Sequence, residues 1–561
     1  MPVHSRWKIP IDACSLPTWL FGPPDSRLPD KIAFIDADRP ETHFLTHETF
    51  RLWSSRLAAG LQKAGLQPGD RVLLFSGNSL FYPVVFLGIL MAGGTFTGAN
   101  PGFVERELAY QLKDSDAKFL ICADSALEMG ITAATSIGMS KDQIFKLDNE
   151  LFEGTGSSRL GVNNWNVLME GEDVGKLFQW YEPEDPKNAI CCLNYSSGTT
   201  GVPKGVMLTH FAYVANATQY AHVHELEPNC EELTKTAKWM CFLPMYHAMA
   251  QTIFIAGGPR RGIPVYIMAK FDFVKVLENV QKFRITTLLV VPPIVVALAK
   301  SPLSRKYDLS SVREVGSGAA PLGAEIIREA ELLWPAGNVK VKQGWGMTEA
   351  TCSLLGSDPR LTPIPGSVGE LNANCSAKIM DLDGRNEVAV GQRGEIWVQA
   401  PNLMKGYWRN PAATSETFTS SSDGIWMKTG DIAYVDEQGN FFIVDRIKEL
   451  IKVKGNQVAP AELEALLLEH PKIQDACVVG VTIYGEEVPR AYVVVREGEK
   501  KGEKEVMEWL SERVSRFKRL TGGVGFVDSV PKNPSGKILR KIMREKAKKE
   551  VGDKETLQSK L

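Results

Sequence analysis

Residues 195–210 read YSSGTTGVPKGVMLTH, and serines, threonines and glycines there surround a single lysine, Lys204. Glycine lets the backbone adopt positive φ and approach a ligand closely. Successive backbone N–H groups, together with hydroxyls and a lysine, form a concavity that suits phosphate. A polar surface turn is the competing interpretation, but a turn needs only one glycine and no cluster of hydroxyls. The stretch therefore predicts a phosphate-binding loop.

The sequence around this loop predicts layers of helices and largely parallel β-sheets. Lys204 is followed by Gly205 rather than Ser or Thr, so the loop is not a Walker A motif and the P-loop NTPase fold is not implied. A strand is predicted over 188–195 and a helix over 210–223. Similar alternation of β-branched runs and helical periodicity fills most of the first 350 residues, which is typical of an α/β fold.

A second kind of pattern begins near residue 365. Residues 366–400 alternate predicted strands with glycine turns, which indicates a β subdomain. The sequence VDEQGNFFIVD at 435–445 predicts a hairpin closed by Gly439 and Asn440.

A strongly charged stretch that begins at Asp445 leads into a smaller α/β unit. A chain of 561 residues is also expected to contain at least two domains. We therefore predict a large N-terminal domain over 1–445, made of layered α/β subdomains and a β subdomain. A small, mobile C-terminal α/β domain is predicted over 446–561, with a hinge at 445–449 and a mobile tail.

Composition excludes several classes of protein. The chain is 44% hydrophobic and 23% charged, as expected of a globular protein, and its net charge of −2 gives no indication of nucleic-acid binding. The nine cysteines form no CxxC pair, which favours reduced thiols over disulfides or zinc. No secretory signal and no membrane span are predicted. The sequence ends in Ser559, Lys560 and Leu561, the form of a peroxisomal address that an import receptor reads.

The sequence QGWGMTEAT at 343–351 combines an aromatic residue with a hydroxyl and a carboxylate. Trp345 stands between two glycines and can lie flat against a base. Thr348 and Glu349 are adjacent and can bind phosphate oxygen and Mg²⁺ together, because Mg²⁺ favours one or two carboxylates plus substrate phosphates. A core tryptophan and a capping threonine are the alternative interpretation.

Two further motifs carry single charged residues of interest. WMKTGD at 426–431 ends in Asp431, whose carboxylate can accept both ribose hydroxyls, although Gly-Asp also commonly marks a turn. PKNPSGKILRK at 531–541 places Lys537 after a Pro- and Gly-rich loop that can deliver this lysine into a site. A basic loop that opens a basic helix explains the second motif equally well.

Taken in order, five motifs resemble those of the adenylate-forming superfamily: SSGTTGVPKG, GWGMTE, KTGD, DRIKELIKVKG and PSGK. This superfamily comprises acyl- and aryl-CoA synthetases, firefly-type luciferases and the adenylation domains of peptide synthetases. The resemblance covers roughly Leu45 to Lys541 and is closest to the branch of peroxisomal acyl- and aryl-CoA ligases like 4-coumarate:CoA ligase. KGYW at 405–408 and VKGNQVAPAELE at 453–464 are familiar in that branch.

The resemblance implies an AMP-forming acid–thiol ligase. Such an enzyme uses ATP, Mg²⁺ and CoA to form an acyl-adenylate and then an acyl-CoA thioester. The large domain would bind the acid, ATP and Mg²⁺, and the small domain would act as a lid. The alternatives are a free-standing adenylating enzyme that loads a carrier-protein pantetheine, a luciferase-like oxygenase and a non-enzymatic nucleotide-binding scaffold.

The resemblance also implies roles for matching positions. ATP or AMP would be bound by Ser196, Ser197, Gly198, Thr199, Thr200, Gly201, Lys204, Ala319, Ala320, Pro321, Gln343, Gly344, Trp345, Thr348, Asp431, Arg446 and Lys537. Catalytic roles would belong to Lys537, Thr348, Glu349, Lys452 and His247. CoA would be bound by Lys452, Lys454, Gly455 and Gln457, and the acyl pocket would be lined by His247, Met249, Gly316, Gly318, Met347 and Cys352. Glu349 would hold Mg²⁺, and Lys448 would be the hinge residue.

Departures from the family pattern bear on the acid. Plant hydroxycinnamate ligases usually have a tyrosine and a lysine where this chain has Met249 and Gly316. Methionine is deformable and glycine leaves space, so a larger and more apolar pocket is expected. This favours a medium or long fatty acid, an arylalkanoic acid or a terpenoid-type acid, used in fatty-acid or secondary metabolism. Trp345 replaces the usual tyrosine, and it keeps the stacking face but loses the hydroxyl.

Overall fold

The structure, a computed structural model, describes residues 2–148, 158–196, 203–454, 456–483, 486–500, 502–533 and 536–558. Its N-terminal part is built on two large sheets, one of eight strands and one of seven. The eight-stranded sheet has the order Gly406–Tyr407, Lys204–Thr209, Ile190–Ser196, Thr95–Ala99, Arg71–Phe75, Ala117–Ala123, Ile144–Leu147 and Asn163–Asn164. The seven-stranded sheet has the order Val341–Gln343, Glu314–Ser317, Thr287–Val290, Trp239–Cys241, Val265–Ile267, Ile32–Asp36 and Phe44–Thr46.

Both sheets are mainly parallel, as the sequence predicted. In the first, every pairing from Ile190–Ser196 to Asn163–Asn164 is parallel. In the second, only the edge strand Phe44–Thr46 pairs antiparallel. The main helices that pack on these sheets are His47–Lys63, Tyr82–Met91, Glu105–Ser115, Leu127–Ser136, His210–Glu225, Phe273–Phe283, Pro292–Lys300 and Ala324–Glu331.

Local sequence explains where these helices begin and how they pack. Thr46 caps the first long helix, since its hydroxyl accepts a hydrogen bond from the Thr49 backbone and the Thr49 side chain bonds back. Every residue of Tyr82–Met91 is buried, as expected for a helix that is apolar all round. None of the described helices is long and apolar enough to cross a membrane.

A six-stranded antiparallel sheet forms the predicted β subdomain. Its strands are Val3–His4, Ser376–Met380, Gly394–Gln399, Phe418–Ser421, Gly424–Val435 and Phe441–Arg446. The last two form the predicted hairpin, in which Gly439 takes a φ of 86° and the backbone N–H of Asp436 donates to the carbonyl of Asn440 at 3.0 Å. The register of this hairpin places Asp431 opposite Arg446.

The C-terminal unit has its own sheet and its own hydrophobic core. Strands Ile473–Ile483, Glu486–Val495 and Val524–Phe526 form the sheet, Ile451–Val453 and Asn456–Val458 form a hairpin, and the helices are Pro460–Glu469, Glu503–Ser511 and Arg540–Gln558. Buried Val458, Leu463, Val478 and Val493 belong to a cluster separate from the N-terminal core. The predicted tail is helical as far as Gln558.

A short 3₁₀ turn, Ile447–Glu449, follows strand Phe441–Arg446 at the predicted hinge. Asp445 reaches across this turn, since its Oδ2 accepts a hydrogen bond from the backbone N–H of Ala461 at 2.8 Å. Glu464 accepts from Arg540 at 2.7 Å, and Arg544 pairs with Glu449. This buried ionic network joins the end of the N-terminal part to two helices of the C-terminal unit.

Candidate active site

A cavity of about 1880 Å³ lies between the N-terminal part and the C-terminal unit. It opens at the carboxyl ends of strands in the seven-stranded sheet, the usual place for a ligand in an open α/β sheet. Nine residues predicted to bind the nucleotide line it: Ala319, Ala320, Pro321, Gln343, Gly344, Trp345, Asp431, Arg446 and Lys537. These come from five separate segments of sequence, which the fold brings together.

The segment that follows strand Glu314–Ser317 forms one wall. Ala319 takes a φ of 76°, and the backbone N–H of Leu322 donates to Gln343 Oε1 at 3.1 Å. Ser317 also pairs with Gln343 in the sheet, so Gln343 holds both the start and the end of the segment from Ser317 to Leu322. Residues 319–323, which follow that strand, thus line the cavity.

Trp345 and Asp431 are in direct contact. The indole N–H of Trp345 donates to Asp431 Oδ2 at 2.9 Å, and Arg446 Nε lies 3.2 Å from Asp431 Oδ1. Burial raises the pKa of Asp431, and the charge of Arg446 and the hydrogen bond from Trp345 oppose that shift. The two residues predicted to bind ribose therefore form an ion pair that the tryptophan supports.

Glu349 lies in the 3₁₀ turn Thr348–Ala350 and is 8% exposed. The hydroxyl of Tyr407 donates to Glu349 Oε1 at 3.0 Å, and the ammonium of Lys204 lies 4.3 Å from the centre of the Tyr407 ring. Burial and the neighbouring carboxylate raise the pKa of Tyr407. The Tyr407 ring therefore links the lysine of the phosphate loop to the predicted metal-binding carboxylate.

Sequence reasoning missed the role of Tyr407. The sequence KGYW contributes only to the family resemblance, because nothing in the sequence shows that Gly406–Tyr407 pairs with Val206 and Met207. That pairing places Tyr407 beside the predicted phosphate loop. Ser196, the last residue of the strand before the loop, pairs with Lys204, the first residue of the strand after it. Ser197, Gly198, Thr199, Thr200 and Gly201 lie outside the described residues, as does Gly455.

Lys537 reaches the cavity from the C-terminal unit. The backbone N–H of Lys537 donates to Asn533 Oδ1 at 2.9 Å. Gly536 has a φ of 76°, and a Cβ there would lie 2.8 Å from Val291 Cγ2, so the loop packs closely on the N-terminal part. Burial and Arg446 lower the pKa of Lys537, whereas Asp431 and Glu349 act in the opposite direction.

The predicted acyl-pocket residues occupy several elements. His247 precedes the short helix Ala248–Ala250, and burial together with the charge of Lys537 lowers its pKa to about 4, so the ring is neutral near pH 7. Met249, Met347 and Cys352 are partly buried against the main core. Gly316 lies in strand Glu314–Ser317 beside Leu289 and Gly318 follows that strand.

The residues predicted to act on CoA lie elsewhere in the structure. Lys452 and Gln457 face each other in the hairpin of the C-terminal unit, and both are exposed. Lys454, also exposed, takes a φ of 48° and pairs with Glu486 at 3.3 Å. Among the described residues these three do not line the cavity. Lys448 lies in the 3₁₀ turn at the hinge. The structure therefore brings nine of the predicted nucleotide residues together at the cavity, whereas Ser196, Lys204 and Thr348 do not line it and the described CoA residues lie apart from it.

Comparison with known proteins gives a consistent result. Residues 25–408 match the family described as AMP-binding enzyme, and residues 462–537 match its C-terminal domain. The chain is 40% identical to 4-coumarate–CoA ligase 2 of Nicotiana tabacum, with 89% of each chain covered. It is 36% identical to phenylacetyl-CoA ligase epaB of Aspergillus niger, with 96% of this chain and 98% of the relative covered.

Among solved structures, ATP-bound MatB from Rhodopseudomonas palustris superposes with a TM-score of 0.80 at 27% identity. The superposition covers 95% of this chain and 99% of that one. The shared architecture includes both the large domain and the smaller C-terminal one. Since the family match extends over more than half of the residues, the chain belongs to the AMP-binding enzyme family.

Proposed function

We propose that this chain is an ATP-dependent carboxylic acid–CoA ligase of the AMP-forming type. It would join an acid to AMP with release of pyrophosphate and then transfer the acyl group to the thiol of CoA. Family membership and the CoA ligase names of the relatives support this class of reaction. The observation that carries the proposal is the convergence of Lys537, Arg446 and Asp431 at one interdomain cavity, with the buried Glu349 close enough to act on Lys537 electrostatically.

The first half-reaction needs a cation at the transferring phosphate. A carboxylate that attacks an α-phosphate must overcome repulsion between two anions, and Lys537 would offset that repulsion electrostatically. The negative charge of the ATP phosphates would favour the ammonium form of Lys537. His247, whose pKa of about 4 keeps it neutral, would close the acyl pocket without adding positive charge.

Glu349 and Thr348 would also interact with the ATP phosphates, Glu349 through a bound Mg²⁺ and Thr348 directly. Within the described residues, no group of three or more His, Cys, Asp and Glu side chains could hold a metal ion. Mg²⁺ nevertheless fits Glu349, because this ion combines one or two carboxylates with substrate phosphates and the Tyr407 hydroxyl uses only part of the carboxylate's acceptor capacity. A bound Mg²⁺ would neutralise charge on the ATP phosphates. Thr348 would contact the α-phosphate.

The second half-reaction would use another face of the C-terminal unit. Lys537 lines the cavity, whereas Lys452 and Gln457 are exposed on their hairpin. The unit would have to turn about Lys448 to exchange these faces, a domain rearrangement of the hinge kind.

CoA is the acceptor that the observations favour. The relatives named above are CoA ligases, and an adenylating enzyme that loads a carrier-protein pantetheine is the second candidate. A luciferase-like oxygenase has no specific observation in its favour. A non-catalytic scaffold is disfavoured because Lys537, Glu349, Thr348 and Asp431 are all in place.

An apolar acid is the expected substrate. Met249 and Gly316 supply no polar partner for a phenol hydroxyl. A fatty, arylalkanoic or terpenoid-type acid would suit such a pocket, in fatty-acid or secondary metabolism. The similarity to a phenylacetyl-CoA ligase supports the arylalkanoic class in particular.

The peroxisome is the proposed location, on the basis of Ser559, Lys560 and Leu561 alone. These three residues lie outside the described ones. Their recognition by an import receptor would not depend on the fold of the catalytic part.

The purified protein should catalyse acid-dependent exchange of labelled pyrophosphate into ATP. A panel of carboxylic acids should identify apolar acids that also give AMP when CoA is added. Parallel reactions with a carrier protein that bears pantetheine distinguish the two acceptors. If none of the acids in the panel supports exchange, the ligase proposal is wrong. If the thioester forms only on the carrier protein, the acceptor is the carrier protein and not CoA.

Lys537→Ala should lower the rate of acyl-adenylate formation roughly 100-fold or more, the loss typical of one charge-stabilising group. Thioester synthesis from supplied acyl-adenylate and CoA should be largely retained. Lys452→Ala should show the reverse, and Lys448→Pro should also slow the thioester step. Single-turnover pyrophosphate release and conversion of synthetic acyl-adenylate measure the two steps.

The exposed Lys548, which lies on the helix after Lys537 and does not line the cavity, offers a matched control. Lys548→Ala should leave adenylation close to that of the unmodified protein. If Lys537→Ala slows both half-reactions equally, the C-terminal unit does not present Lys537 and Lys452 to the cavity in turn.

Gly316→Lys combined with Met249→Tyr should shift preference toward 4-coumarate. The new side chains would pair with the phenol, and an unpaired buried polar group costs about 1–3 kcal/mol, or roughly tenfold in the ratio of kcat/KM values for coumarate and the best apolar acid. A Cβ at position 316 would lie 2.8 Å from Leu289 Cδ2, so the end of that flexible side chain must move. Gly316→Ala with Met249→Leu controls for this crowding. An unchanged ratio would mean that neither position faces the acid.

A fluorescent protein fused to the N-terminus should give punctate, peroxisomal fluorescence in cells. Removal of residues 559–561 should make the signal diffuse, because the terminal tripeptide is the whole address. Co-localisation with a peroxisomal marker is the measurement. A diffuse signal from the intact fusion would contradict the proposed location.

A further inference from the structure

Trp345 is held rigidly by backbone contacts on both sides. Its N–H and carbonyl groups bond to Leu355 at 3.2 and 3.1 Å. A Cβ on Gly346 would lie 1.8 Å from the carbonyl oxygen of Cys352, so the chain at that position is packed directly on backbone. Trp345 itself is 9% exposed. Backbone contacts and burial therefore hold the ring in place.

The only hydrogen-bond donor of an indole ring is its N–H group. In Trp345 this group donates to Asp431 Oδ2, while the other carboxylate oxygen faces Arg446. Two groups from different segments thus define the plane of the carboxylate. Each oxygen accepts more than one hydrogen bond, so each can still receive a hydroxyl of a vicinal diol.

We infer that Trp345 is a positioning residue for sugar recognition, because its N–H orients the Asp431 carboxylate toward both ribose hydroxyls. This inference rests on the proposed function, in which Asp431 binds the ribose of ATP. The ring face alone would contribute equally to the binding of any adenine nucleotide. The N–H contributes through Asp431 and therefore only when the sugar carries the hydroxyls that the carboxylate accepts.

A phenolic side chain would not provide the same contact. The hydroxyl of a tyrosine projects from the tip of its ring, whereas an indole N–H projects from the edge of the five-membered ring. The tryptophan therefore combines an aromatic face with a donor directed to its side. The same residue would contribute to the recognition of both the base and the sugar.

The test compares ATP with 2′-deoxyATP by direct binding measurements without acid or CoA. The ratio of the two dissociation constants cancels any loss of stacking and reports on the sugar contacts. Trp345→Phe should reduce the preference for ATP by roughly fivefold or more, because a hydrogen bond to a charged group is lost. Asp431→Asn should also reduce it, and adding Trp345→Phe to Asp431→Asn should change the ratio little further.

Trp334→Phe is the matched control. Its indole N–H donates to the carbonyl of Leu309 at 2.9 Å, and Trp334 is buried and is not among the residues that line the cavity. That variant should keep the ratio of the original protein. Trp345→Tyr provides the same measurement if Trp345→Phe does not fold, and it should likewise lower the preference.

Equal weakening of ATP and 2′-deoxyATP binding in Trp345→Phe would overturn the inference and leave Trp345 as a stacking surface only. A wild-type protein that binds ATP without preferring it to 2′-deoxyATP would also overturn it. Absence of ATP binding together with absence of pyrophosphate exchange would instead remove the proposed function, on which the inference rests.

Discussion

The buried carboxylate of Asp431 is the point on which the parts of this protein converge. The β subdomain supplies it, the loop after strand Val341–Gln343 supplies the indole donor, and the hinge region supplies Arg446. Burial of a carboxylate is costly unless hydrogen bonds and opposite charges satisfy it. Because Lys537 also contributes an opposite charge, the electrostatic balance at Asp431 depends on the docked position of the C-terminal unit.

The predicted hinge joins two parts of the chain that have separate cores and a shared ionic network. Asp445 lies next to the last residue of strand Phe441–Arg446, and its carboxylate accepts a hydrogen bond from the backbone at the start of helix Pro460–Glu469. Arg540 lies only three residues after Lys537 and pairs with Glu464 in that helix. The loop that bears Lys537, the proposed catalytic lysine, and the segment that would allow rotation are thus both connected to helix Pro460–Glu469. A turn of the C-terminal unit would move Lys537 as part of a rigid body.

Sequence patterns predicted the class of fold, the β subdomain and its hairpin, because these depend on local periodicity and turn chemistry. Ordered motifs also identified Trp345, Asp431 and Lys537, whose side chains the structure places at one cavity. The contact between Trp345 and Asp431 could not be predicted, since 86 residues separate them and only the packing of two sheets brings them together. Tyr407 was missed for the same reason, because its short strand joins the phosphate-loop strand from a distant part of the chain.

The strands that flank the phosphate loop run antiparallel, with Ser196 opposite Lys204, and helix His210–Glu225 begins only after the second strand. In P-loop and dinucleotide-binding folds the glycine-rich loop leads directly into a helix, whose N-terminus contributes fixed partial positive charge to the phosphates. Here that helix starts six residues beyond Lys204, so its dipole cannot serve the loop in the same way. Under the proposed function, formal positive charge would come from side chains, and one of them, Lys537, belongs to the C-terminal unit. Affinity for the phosphates would therefore be coupled to domain position and sensitive to ionic strength.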